Sequence, residues 1–215
     1  LITVEMPEAP PAEPTRFLGV DLGIVTLAED SDGHAYTGAD VECARKRYGT
    51  ARQTFQGTNT KAARRRLKKM AGKESRFRRC INHRISKQLV AHAKDTNAAL
   101  VLEDLTHIRS RTTVRKDQRN RHSGWGFAQL RAFIAYKCLL AGIFLVIVDP
   151  CNTSRQCSKC GFVHERNRRK QAEFSCLRCG HHANADLNAA RNIATRGEVS
   201  HPHLGAPVNG QLALS

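Results

Sequence analysis

Acidic residues are scarce in this 215-residue chain: 19 Asp and Glu stand against 35 Lys and Arg, for a formal charge of +16. So large an imbalance points to a polyanionic partner, nucleic acid above all. A basic surface that serves solubility alone is the plain alternative. Long apolar runs are also missing. The longest, Leu139 to Val148, spans ten residues, about half a bilayer crossing, so a membrane partner is not expected. The acidic, Pro-rich start has none of the features of a secretory leader. Aromatics make up only 6%, and Trp125 is the sole Trp. It stands ready either to stack on a base or, at the head of an amphipathic helix, to pack in the core. No internal repeat stands out. What remains is ordinary: 40% hydrophobic and 25% charged residues suit a globular fold, and the length suits one domain with a small appendage.

Four of the eight cysteines are spaced as two pairs. Cys157 and Cys160 form one Cys-x2-Cys, and Cys176 and Cys179 form another after 15 intervening residues. Such spacing predicts a tetrahedral zinc site with four thiolate ligands, each turn closed by Gly161 or Gly180. Two disulfides are the competing reading. The other cysteines, 43, 80, 138 and 151, and the lack of a leader argue against an oxidising compartment. His164, His181 and His182 lie nearby but are surplus to a four-sulfur site.

Residues 1–15 hold four of the seven prolines and three glutamates and read as a linker or as the tail of an upstream region, the first residue being Leu. Strands are expected at Phe17–Asp21, Ile24–Ala28 and His34–Thr37, with a turn at Ser31-Asp32-Gly33. Residues 45 to about 97 read as helical. Between Lys61 and Lys87 there are twelve basic residues and one acid, Glu74. Phe77, Ile81, Ile85 and Leu89 recur every four residues in that helix, which gives it an apolar face and a cationic one. A buried-type strand, 99–104, follows, then a basic loop over 105–124. Phe127 to Cys138 marks an amphipathic helix and Ile143–Val148 a strand. A final helix runs from near Asp186 to about Arg196, and 197–215 read as a disordered tail. Strands in a hairpin followed by alternating helix and strand predict an α/β domain with a mixed sheet.

Three acids stand out against the charge balance. Asp21 and Glu103 each end an apolar strand, and Asp186 opens the last helix, where it complements the helix dipole. Gaps of 82 and 83 residues separate them. If the first and fourth strands are parallel neighbours, Asp21 and Glu103 lie side by side, and the last helix delivers Asp186. Three clustered carboxylates repel one another unless cations bind. Mg²⁺ prefers such oxygen ligands, and two ions roughly 3.5–4 Å apart serve phosphodiester hydrolysis. Taken singly, each acid has a plainer reading: Asp186 a helix cap, Glu103 a strand end, Asp21 a turn residue.

Four segments, in order, resemble the OrfB/TnpB family of transposon-encoded proteins. They are Gly19-Val20-Asp21-Leu22-Gly23-Ile24 with Leu27-Ala28, Val101-Leu102-Glu103-Asp104-Leu105, Val148-Asp149-Pro150 with Thr153 to Gly161, and Ala185 to Ile193. The resemblance covers about 16 to 196. It implies a ribonuclease-H-like (RuvC) mixed sheet with flanking helices and an inserted zinc ribbon, related to the nuclease half of type V CRISPR effectors. The implied division is a nuclease core over 16–150, a ribbon over 151–182 and the last core helix over 183–196. It implies that Asp21, Glu103 and Asp186 are catalytic acids holding Mg²⁺ or Mn²⁺, and that Cys157, Cys160, Cys176 and Cys179 hold structural Zn²⁺. It further implies an RNA-guided DNA endonuclease acting in a bacterial or archaeal cytoplasm at the nucleoid, with DNA as substrate. Guide RNA would be bound through an upstream region that full members carry. The ribbon and the 105–124 loop would flank the strand entering the site. Arg64, Arg65, Arg66, Lys68 and Lys69 are the candidate phosphate contacts. Two other classes compete: a non-catalytic zinc-ribbon module that only binds nucleic acid, and an actin-like ATPase, suggested by Asp-x-Gly near the first strand. The second lacks a further phosphate loop in this sequence.

Overall fold

The computed structural model describes residues 12–23, 26–37, 39–58, 60–105, 126–202 and 204. Three strands, β1 (Arg16–Asp21), β2 (Thr26–Asp30) and β3 (Ala35–Thr37), precede two helices, α1 (Ala39–Thr58) and α2 (Lys61–Asp95). Then come β4 (Ala98–Glu103), α3 (Phe127–Ala141), β5 (Leu145–Val148), the short strands β6 (Glu173–Ser175) and β7 (His182–Asn184), and α4 (Ala185–Ser200). The main sheet runs β3-β2-β1-β4-β5. β1 is antiparallel to β2 and parallel to β4, and β5 is parallel to β4. This is the expected mixed, ribonuclease-H-like sheet. β6 and β7 form a separate antiparallel pair.

Strand alternation sorts the side chains into two layers. Leu18, Val20, Ala98, Leu100 and Leu102 join Ile81, Ile85 and Leu89 of α2 and Leu130, Ile134 and Cys138 of α3 in one core. Phe17, Ala99, Val101, Val146 and Val148 meet Ile193 of α4 on the opposite face. Odd positions of β1 and β4 therefore look toward α4, and Asp21 and Glu103 are odd positions. The α4 layer is unusually close. A Cβ at Gly19 would lie 2.2 Å from the Ala190 carbonyl oxygen and 2.3 Å from the Ala194 nitrogen. At Gly197 a Cβ would lie 2.5 Å from Val101 Cγ2. Both positions need glycine because the helix backbone rests on the strands.

The expected single helical stretch from 45 is two helices, and the first begins earlier, at Ala39. Thr60 explains the second start: its backbone is extended and its hydroxyl accepts the Ala63 N–H at 3.2 Å, an N-cap. The second strand reaches Asp30, two residues past the expected end, and α4 continues to Ser200, beyond the expected Arg196. Most of the 105–124 loop, Trp125, residues 24–25 and 205–215 lie outside the described residues. No helix among the described residues is long and apolar enough to cross a membrane.

Candidate active site and metal centre

The four cysteines of the paired motifs converge. Cys157 Sγ lies 3.7 Å from Cys179 Sγ, and Cys160 Sγ lies 3.6 Å from Cys176 Sγ. All four sulfurs fall within 4.8 Å of one another, and all four are free thiols. Tetrahedral Zn–S bonds of about 2.3 Å set neighbouring sulfurs about 3.8 Å apart, so the cluster has the dimensions of a zinc ribbon and not of two disulfides. Two matching turns build it. The Gly161 N–H donates to the Cys157 carbonyl at 2.9 Å and the Gly180 N–H to the Cys176 carbonyl at 3.0 Å. Both glycines adopt left-handed φ angles, +73° and +68°. His164, His181 and His182 are not part of the cluster.

The acids gather at the carboxyl end of β1 and β4. Val20 pairs with Leu102 in parallel register, which sets Asp21 beside Glu103. Asp21 also pairs with Glu29 of β2, a buried acid that sequence reasoning missed. Its position follows only from the hairpin register, for which Ser31-Asp32 was the one available clue. Asp186 sits in the first turn of α4. It is not the cap: Asn184 Oδ1 accepts the N–H groups of Asp186 at 2.8 Å and Leu187 at 3.4 Å. The plainer reading of Asp186 thus fails, because a neighbour already fills that role. Its carboxylate instead meets Arg168 of the ribbon at 2.9 Å.

The electrostatics record the crowding. Burial, then the charges of Glu103 and Asp186, push Asp21 well above the usual carboxylate range, with Arg168 opposing. Burial raises Glu103 too, against a Thr153 hydrogen bond and the charge of Arg196. Burial and the nearby Asp186 raise Glu29. Glu103 Oε1 is buried without a hydrogen-bond partner among the described residues. A buried carboxylate oxygen without a partner, among like charges, is chemistry that a hard divalent cation could satisfy. The acids are looser than the cysteines: Asp21, Glu103 and Asp186 do not bring one oxygen each within 4.8 Å of the other two.

One face of α4, the helix that carries Asp186, holds the backbone leading into the ribbon. Asn188, Asn192 and Arg196 recur every fourth residue and so share a face. Buried Asn188 accepts the Ser158 N–H at 3.0 Å and donates to the Gln156 carbonyl at 2.8 Å. Asn192 donates to the carbonyls of Thr153 at 2.8 Å and Gln156 at 2.7 Å. Arg196 donates to the carbonyls of Asp149 and Cys151. The spacing was visible in sequence; the partner strand of backbone was not.

Arg64, Arg65, Arg66, Lys68 and Lys69 are exposed on α2, and the Arg66 guanidinium lies over the Phe55 ring, 5.7 Å from its centroid. Glu74, the single acid of that stretch, is engaged by Arg52 at 2.7 Å. The five cations are remote in sequence from the acid cluster.

Comparison with known proteins agrees with this architecture. Residues 1–109 match the OrfB_IS605 family, described as probable transposase, and residues 127–193 match the Cas12f1-like TNB domain. The CRISPR-associated endodeoxyribonuclease Cas12f1 of Sulfoacidibacillus thermotolerans is 34% identical over 83% of this chain and 45% of its own length. The putative RNA-guided DNA endonuclease InsQ of Escherichia coli K12 is 29% identical over 92% of this chain and 53% of its own. The chain thus spans about half the length of these relatives. Cas12f1 in a cryo-EM complex with sgRNA and target DNA superposes with a TM-score of 0.67 at 23% identity, over 90% of this chain and 52% of that one. The chain belongs to the OrfB_IS605 family of probable transposases and carries a Cas12f1-like TNB domain behind its ribonuclease-H-like strands.

Proposed function

We propose that this chain is the nuclease half of a metal-dependent DNA endonuclease, with residues 16–150 and 183–196 as the catalytic core and 151–182 as its zinc ribbon. The observation that carries the reading is the buried Oε1 of Glu103, without a hydrogen-bond partner among the described residues, beside an Asp21 carboxyl raised by burial and then by its acidic neighbours. Asp21, Glu103 and Asp186 would hold Mg²⁺ or Mn²⁺. When bound, such ions lower the pKa of a water and neutralise charge on the leaving oxygen. The protein's own part is placement. β1 and β4 fix two carboxylates side by side, and α4 carries the third. Arg168 holds Asp186 in place from the ribbon and offsets part of the negative charge while no cation is there. Zn²⁺ on the four cysteines has a structural role, since four protein sulfurs leave no open position.

DNA is the proposed substrate. Arg64, Arg65, Arg66, Lys68 and Lys69 are proposed to contact phosphates of bound nucleic acid without reading sequence. Guide RNA is the further proposed partner where an upstream region is present, by analogy with InsQ, of which this chain covers 53%. The test is cleavage of end-labelled single-stranded DNA with Mg²⁺, comparing wild type with Asp21→Ala. Cleavage by wild type alone supports the reading. Equal cleavage by both, or binding without cleavage across metals and guides, assigns the chain to the non-catalytic binding class.

A further inference from the structure

A second cluster of metal-ligating side chains lies on the other face of the sheet. Asp30 ends β2, and its cross-strand partner is Val20, a member of the α2-side core. Its side chain therefore points toward α2, away from Asp21, and it is fully buried. Oδ1 is committed to the following turn, where it accepts the N–H groups of Asp32 at 3.1 Å and His34 at 2.9 Å. Oδ2 receives the Tyr36 hydroxyl at 3.3 Å and faces two imidazoles, His34 Nδ1 at 3.3 Å and His92 Nε2 at 3.9 Å. His34 comes from the β2–β3 hairpin and His92 from the end of α2, 62 residues beyond Asp30. The two rings meet edge to face with centroids 4.6 Å apart. One ligand atom from each of the three residues lies within 4.8 Å of the other two.

The geometry points to a metal site in which Asp30, His34 and His92 bind a late first-row dication, Zn²⁺, Ni²⁺ or Cu²⁺. Bonds of about 2.0–2.2 Å at tetrahedral angles set neighbouring ligand atoms about 3.3–3.6 Å apart; Asp30 Oδ2 lies 3.3 Å from His34 Nδ1 and 3.9 Å from His92 Nε2, and the ligand nitrogens of the two rings lie within 4.8 Å of each other. Two imidazoles and one carboxylate select these ions over Mg²⁺, which prefers oxygen alone. Water completes the coordination. Asp32 sits at the rim in an ion pair with Arg16 and lies 3.0 Å from His92 Nε2; it yields that nitrogen to the ion. The bound ion would staple the β2–β3 hairpin to the C-terminal end of α2. It uses none of the acids of the proposed nuclease site and stands whether or not the chain cuts DNA.

The experiment titrates the purified chain, its ribbon loaded with one Zn²⁺, with Ni²⁺ by calorimetry, and counts metals per chain by atomic emission after dialysis. Wild type is expected to retain a second equivalent. His34→Ala and His92→Ala should each lose it, with affinity at least about tenfold weaker, while keeping the ribbon zinc. His34 is exposed, so its substitution spares the fold and decides the matter if His92→Ala misfolds. A wild type that holds one equivalent only, or a second equivalent that survives in His34→Ala, overturns the proposal.

Discussion

The approach of α4 to β1 makes Gly19→Ala a sharp perturbation. The added methyl would lie 2.2 Å from the Ala190 carbonyl oxygen and 2.3 Å from the Ala194 nitrogen. Ordinary carbon–oxygen contact needs about 1 Å more, and both obstacles are helix backbone that cannot rotate aside. Relief requires α4 to lift from the sheet along the line where Ile193 is buried against Phe17 and Val101. Overpacking a core by a single group costs about 1–3 kcal/mol, and a clash with rigid backbone belongs at or above the upper end, about 3 kcal/mol. At about 2–4 °C per kcal/mol for a chain of this size, Tm should fall by about 6–12 °C. Because α4 carries Asp186, the proposed nuclease activity at permissive temperature should fall as well. Gly49→Ala is the control: its Cβ meets nothing within 4 Å on α1, and the change should be neutral or stabilising by up to about 1 kcal/mol. Thermal melts followed by circular dichroism read both. A Gly19→Ala protein within about 0.5 kcal/mol of wild type would refute the close packing of helix on strand.

Three further outcomes follow from the same geometry. Asp21 has its folded pKa raised above its unfolded value of about 4, so the metal-free folded state binds the extra proton and stability falls as pH rises from there through the folded value. Metal-free Asp21→Asn, which escapes that loss, should gain on wild type with rising pH in urea melts; a constant difference from pH 4 to 8 would contradict the shift. Asn192→Ala strips the carbonyls of Thr153 and Gln156 of a buried donor, at a cost of about 1–3 kcal/mol, and should speed zinc loss to a chromogenic chelator; an unchanged release rate would show that α4 does not brace the ribbon. Replacing Arg64, Arg65, Arg66, Lys68 and Lys69 with Ala should flatten the plot of log K against log salt for single-stranded DNA by about 3.5 units, and an unchanged slope would remove α2 from the interface.

Much of this was legible in the residues because local pattern and global fold agree. The four-residue spacing of Ile81, Ile85 and Leu89 marked the buried face of α2, and all three are in the core. The cysteine spacing marked the four residues whose sulfurs converge. The parallel pairing of β1 with β4, posed only as a condition in the sequence, is the arrangement observed. The remainder depended on competition between neighbours. Asp186 and Asn184 are both good caps by type, and only backbone geometry gives the position to Asn184. Glu29 is one more acid in a strand until the hairpin register pairs it with Asp21. The break before Thr60 was hidden because a hydroxyl residue caps one helix or decorates another with nearly equal ease.

The central claim is that Asp21, Glu103 and Asp186 act as one catalytic unit. Cleavage rates with Mg²⁺ for Asp21→Asn, Glu103→Gln, Asp186→Asn and the triple variant, measured on zinc-loaded protein, test it most directly. Members of a single unit are grossly non-additive, so each single substitution should lower the rate nearly as far as all three together. A single variant that keeps the wild-type rate, or losses that multiply independently to the triple, would contradict it.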